Sequence, residues 1–130
     1  VKTKIRMTPG ACFDRGQRIT EVGAALAYAE YHAARIPGAG LRELQDVSSG
    51  LHTAAVMAER LVNELGQSPN KGEAVAIAKN LKAFNQKVRK QIGSPDPIKP
   101  EETLKIQSQT ALFRKQATKI WNQIRKTCGK

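Results

Sequence analysis

The two histidines, His32 and His52, and the two cysteines, Cys12 and Cys128, are where a search for chemistry in this sequence begins. No Cys, Asp or Glu stands at a ligand spacing that would join the histidines into a metal site, so both are read as solvated histidines on helix surfaces. The glycines fit neither the phosphate-cradling nor the dinucleotide-binding pattern. Ser48 and Ser49 have no recognisable base partner, and two histidines leave little from which to build a nucleophile triad. Glu43, Asp46, Glu59 and Glu64 fall on one helix beside Arg42 and Arg60, which invites a general-acid reading of the kind used on glycosides. A mixed-charge, solvated face accounts for them better, because the pattern offers no pair of carboxylates held in divergent environments. No catalytic, cofactor-binding or metal-ligating residue is assigned, and the expectation is a binding protein that is not an enzyme.

Charge supplies the content that the motifs lack. The chain of 130 residues carries a net +11. Residues 1–70 hold 8 Lys/Arg against 7 Asp/Glu, whereas residues 71–130 hold 14 against 4. A field of that sign draws polyanions: nucleic acid, anionic lipid or acidic glycoprotein. The cations expected to meet the partner are Lys79, Lys82, Lys87, Arg89 and Lys90, then Arg114, Lys115, Lys119, Arg125 and Lys126. Aromatic residues make up only 5% of the chain, few for a protein that stacks on bases. Trp121 is the one candidate for an exposed ring, and a core-edge position with its indole N–H at the surface suits it better.

The elements that must carry these residues are helices. Ile19, Val22, Leu26, Ala29, Ala33 and Ile36 recur at spacings of three and four, one face of a helix from about Arg15 to Ile36. Pro37-Gly38-Ala39-Gly40 should end it. A second helix is expected over Leu41–Leu65, with Leu44, Val47, Leu51, Ala54, Ala58, Leu61 and Leu65 as its stripe, widened by Ala55 and Val62. Gly66 is its natural stop. The third helix buries Ala74, Ile77, Leu81, Phe84, Val88 and Ile92. The fourth opens at Pro100, with Glu101 and Glu102 suited to the positive end of its dipole, and buries Ile106, Phe113, Ala117, Ile120, Ile124 and Cys128. No segment alternates with a period of two. The expected fold is all-α, an antiparallel bundle of four to five helices in a single domain, with residues 1–12 as an extended arm. No run reaches the roughly 18 consecutive apolar residues of a membrane span.

Cys12 and Cys128 admit two readings, core thiols or a disulfide. A bridge would close a loop of about 116 residues, for which chain entropy gives roughly 4–5 kcal/mol. A chain that starts at Val1 without an initiator Met or an apolar leader fits a processed secreted protein or a trimmed one.

Two short stretches carry a resemblance. Phe13-Asp14-Arg15-Gly16, followed about 50 residues later by Leu65-Gly66-Gln67-Ser68-Pro69-Asn70-Lys71-Gly72, resembles the gastropod (abalone-type) sperm lysin family of acrosomal proteins. That family shares the FDRG and the LG-x-x-P-x-x-G turn, the helical class, the basic charge and the length. The motifs span roughly the first half of the chain. Richness in Lys and Ala, where lysins are rich in Arg and exposed aromatics, points to a diverged, fusion-associated paralogue.

The resemblance implies a secreted protein of the sperm acrosomal vesicle that acts at the egg surface without cleaving anything. Its partner would be the egg membrane, including anionic lipid, where it promotes fusion, or an egg-coat glycoprotein, which it dissolves by binding. The membrane role is slightly preferred on the Lys-rich amphipathic character. A second copy of the chain, in a homodimer, is among the expected partners. The alternative from charge alone is a basic helical nucleic-acid-binding protein.

Overall fold

The structure is a computed structural model that describes residues 9–39, 41–66 and 71–129, with side chains over 12–37, 41–66 and 71–127. Five helices follow in order: α1 (Pro9–Ala34), α2 (Ile36–Ala39), α3 (Leu41–Leu65), α4 (Lys71–Gly93) and α5 (Pro100–Gly129). Among the described residues there is no strand. The fold is the expected all-α helical bundle.

Cross-helix contacts give the direction of each helix. Arg15 near the start of α1 meets Glu64 at the end of α3, and His32 near the end of α1 meets Glu43 at the start of α3. Ser48 pairs with Asn85 across α3 and α4, Glu73 with Lys119 across α4 and α5, and Gln107 with Ala33 across α5 and α1. Early residues face late ones in every pair, so neighbours run antiparallel in an up-down-up-down bundle.

The apolar stripes read from the sequence are the faces that meet. Every stripe residue named for the first two predicted helices is buried except Val62, which packs half-buried against the core. In α4, Phe84 and Ile92 are also only partly covered. In α5 the stripe includes Thr110, fully buried, whose hydroxyl donates to the Ile106 carbonyl at 2.6 Å. Asn85 is likewise buried and accepts a hydrogen bond from Ser48 Oγ at 2.7 Å, so this polar pair inside the bundle is satisfied.

Two boundaries differ from the expectation. Pro9 opens α1, so residues 9–12 are helical and not part of an arm, while residues 1–8 lie outside the described residues. A proline in the first turn gives up an N–H that would have no intrahelical acceptor, which is why it starts this helix without cost. At the other end α1 stops at Ala34, where the Arg35 N–H bonds to the His32 carbonyl at 3.0 Å, and Ile36 begins the single turn α2. Pro37 therefore sits inside a first turn. Gly66, at φ +57°, closes α3 in the left-handed conformation that glycine adopts without strain.

Cys12 is held in a disulfide. The other cysteine, Cys128, lies on α5, and its side chain is outside the described residues.

The tightest packing lies between α1 and α3. A Cβ on Gly50 would stand 2.9 Å from the Ala25 carbonyl oxygen and 3.0 Å from the Ala29 Cβ. Gly50→Ala should therefore destabilise the protein by about 1–3 kcal/mol in urea melts, because backbone must move to admit the methyl. Gly23→Ala, where nothing lies within 4 Å, should instead stabilise it by up to about 1 kcal/mol, the ordinary gain in a helix.

Candidate functional site

All ten cations expected to meet a partner are exposed, but they do not form one track. Lys82 pairs with Glu59 on the α3–α4 seam, Lys119 with Glu73 at 3.2 Å on the α4–α5 seam, and Arg114 with Glu30 at 2.6 Å on the α1–α5 seam. Arg125 lies over the ring of Trp121 at 4.6 Å, a cation–π contact on the outside of α5. Trp121 is half-exposed and thus an edge residue with a face in solvent. Among the described residues no carboxylate lies within ion-pair distance of Lys79, Lys87, Arg89, Lys90, Lys115 or Lys126, so these six present unneutralised charge. Those on α4 and those on α5 occupy the outward sides of two different helices.

A feature that the sequence reading did not single out lies at one end of the bundle. There α2, the first turns of α3, the end of α4, the α4–α5 loop and the start of α5 enclose a cavity of about 850 Å³. Its wall is mainly apolar: Ile36, Leu41, Leu44, Ile92, Ile98 and Leu104, with Pro37, Pro95, Pro97 and Pro100. Leu41 and Leu104 at its edge are 53% and 62% exposed. Both stand off the core stripes of their helices, and a leucine off the stripe is the one sign of this mouth that the sequence carries. Cations are next to wall residues in sequence, though not in the wall itself: Arg42 follows Leu41, Lys90 precedes Gln91, Lys99 separates Ile98 from Pro100, and Lys105 follows Leu104. All four are exposed. Lys105 lies 3.4 Å from Glu102, and Asp96 is the one carboxylate in the wall.

Beside this end the structure corrects the reading of two residues. His32 is not a solvated surface histidine, and Glu43 is not on a solvated face. Glu43 is 4% exposed, with Oε2 2.7 Å from His32 Nδ1 and Oε1 accepting from Arg35 Nε at 2.8 Å. Asp46 Oδ2 lies 3.5 Å from the same His32 nitrogen. Glu43 and Asp46 are three apart on α3, and the turn through α2 brings His32 of α1 to them, so the pattern of a single helix could not reveal the three together. His52 is exposed, as expected. Ser48 donates to Asn85 and so serves packing.

The two stretches that carry the resemblance also meet. Arg15 of the FDRG run donates from Nε to the Glu64 carbonyl at 3.1 Å and from Nη2 to the Leu65 carbonyl at 3.3 Å. These are last-turn carbonyls of α3, which have no intrahelical donors, directly before the Gly66 turn. Arg18 adds a bond to the Glu64 carboxylate at 3.2 Å.

Glu43 is the most telling titratable group. The hydrogen bond from His32 and then that from Arg35 hold its carboxyl below the ordinary 4.5, against burial, which acts upward. A depressed carboxylate contributes stability that is full above its unfolded value and is lost as pH falls through the folded one. Glu43→Gln should therefore be less stable than the parent at about pH 7, and the difference should shrink progressively below about pH 4.5 in urea melts across that range.

Comparison with protein-family models, with curated proteins and with solved structures finds no match to this chain.

Proposed function

We propose that this chain is a secreted acrosomal sperm protein that acts at the egg surface in fertilization without enzymatic turnover, docking on the egg membrane and promoting fusion. The observation that carries the membrane-directed role is the apolar mouth at the end of the bundle, whose wall residues have the exposed Arg42, Lys90, Lys99 and Lys105 next to them in sequence. An apolar surface beside exposed cations is the arrangement that seats a protein on an anionic leaflet: each nearby cation contributes about 1 kcal/mol, and apolar side chains enter the interface. No described helix is long and apolar enough to cross a membrane. The gamete setting rests on the resemblance, which the contact of Arg15 with the α3 terminus supports by giving its two motifs one structural purpose.

Egg-coat binding is the second reading. The six unneutralised cations on α4 and α5 favour it, because acidic glycoprotein can be gripped by exposed Lys and Arg without an apolar mouth.

Co-sedimentation with vesicles of phosphatidylcholine alone and of phosphatidylcholine with phosphatidylserine separates these readings. The chain should bind and mix the anionic vesicles at low salt, and lose binding as salt screens the contact. Leu41→Asp and Leu104→Asp should each weaken binding by roughly tenfold or more, the value of one buried leucine. Indifference to both lipid charge and the leucine variants would overturn the membrane role. Stoichiometric loosening of egg coats would then support coat binding, and a steep salt-dependent affinity for DNA or RNA would support a nucleic-acid partner.

A further inference from the structure

We infer that the corner between α1 and α3 is a zinc-binding site, with His32, Glu43 and Asp46 as its protein ligands. Their donor atoms, His32 Nδ1, Glu43 Oε2 and Asp46 Oδ2, all lie within 4.8 Å of one another. One imidazole nitrogen with two carboxylate oxygens is a donor set for a first-row divalent cation, zinc foremost, and water completes the tetrahedron. Bonds of about 2.0–2.2 Å to a common centre set tetrahedral ligand atoms roughly 3.3–3.6 Å apart. The His32–Asp46 separation of 3.5 Å already has that value. The His32–Glu43 separation of 2.7 Å must widen, a movement within the reach of side-chain torsions.

Two further observations set this corner apart from an ordinary surface cluster of acids. The first is that the ligands are already oriented from outside. Arg35 Nε holds Glu43 Oε1, the oxygen not directed at His32, and Glu43 is itself 4% exposed. Tyr28 packs on the His32 ring at 4.4 Å between centroids, and Tyr31 stands edge-on to it at 5.1 Å. Outer partners of this kind fix the ligands of metal centres.

The second is convergence. Glu43 Oε2 and Asp46 Oδ2 both face the one nitrogen His32 Nδ1, at 2.7 and 3.5 Å. A divalent cation at that point would take all three donors at once. The Asp46 side chain is 33% exposed, which leaves a path for the ion and for its water.

The ion would tie the end of α1 to the first turns of α3. The segment between them supplies Ile36, Pro37, Leu41 and Leu44 to the apolar mouth. Zinc therefore also braces the wall of that cavity, a consequence independent of what the cavity binds.

Isothermal titration of the chelator-treated full chain with zinc tests the site. The expected result is saturation at one zinc per chain, with a rise in Tm that chelator reverses and, on cobalt substitution, the intense visible absorption of a four-coordinate centre. His32→Gln should abolish the binding step, and Asp46→Asn should weaken it by at least about tenfold. His52→Gln should leave it unchanged, and circular dichroism of each variant should report an intact bundle. Absence of saturable binding, loss on His52→Gln in place of His32→Gln, or an affinity unaltered by Asp46→Asn would each overturn the assignment.

Discussion

Gly50 faces the carbonyl of Ala25 and the methyl of Ala29 across the α1–α3 seam, at distances that leave no room for a side chain. This contact sets how closely the two central helices lie, and the rest of the bundle is arranged around them. α4 packs next to α3 and α5 next to α1, and Ala74, Ile77, Leu81 and Val88 of α4 enter the same core as Phe113, Ala117, Ile120 and Ile124 of α5. Phe84 and Phe113 close the ring between α4 and α5. Alanines and larger aliphatic residues interleave on all four long helices, which lets them share one core at interior packing density. Glu43 with His32 and Arg35 ties one end of the central pair, and Arg15 with the carbonyls of Glu64 and Leu65 ties the other.

Fixing both ends of α1 against α3 has a consequence for the surface. At the Glu43 end the chain must turn through α2, and the α4–α5 loop passes over the same end. Five prolines lie between residues 37 and 100 in sequence. Four of them, Pro37, Pro95, Pro97 and Pro100, are in the wall of the cavity there. Proline cannot donate a backbone hydrogen bond, so this end has fewer polar groups than an ordinary helix terminus and is better suited to apolar contact. The cations lie outside it, on the helix faces turned away from the core. Apolar end and charged flank are therefore products of one packing scheme, in which α4 and α5 contribute long stripes to the core and expose everything else.

The helices themselves were legible in the sequence because burial in a bundle repeats with the helix period. Val47, Leu51, Ala54, Ala58 and Leu61 declare α3 by spacing alone, and the same logic places Ile106, Phe113 and Ile120 in α5. Pro9 escaped that logic because a first turn needs no apolar periodicity. The site was harder to read. Leu41 and Leu104 are ordinary leucines until the fold shows that they stand off the core at the same end. Glu43 looked solvated because its neighbours Arg42, Gln45 and Asp46 are polar, and only the return of the chain through α2 buries it beside His32. The ten cations were correctly read as exposed, but pairing of Lys82, Lys119 and Arg114 with Glu59, Glu73 and Glu30 depends on contacts between helices that no single helix pattern encodes.

The proposed role requires the apolar end of the bundle to face the membrane. Its most direct measurement is the immersion depth of spin labels placed singly at position 104 beside the mouth and at position 52 on the exposed side of α3, on bilayers containing phosphatidylserine. The label at 104 should become accessible to oxygen and shielded from a water-soluble relaxer, while the label at 52 stays in water. Equal exposure of both labels to water on a membrane that has bound the protein would contradict it.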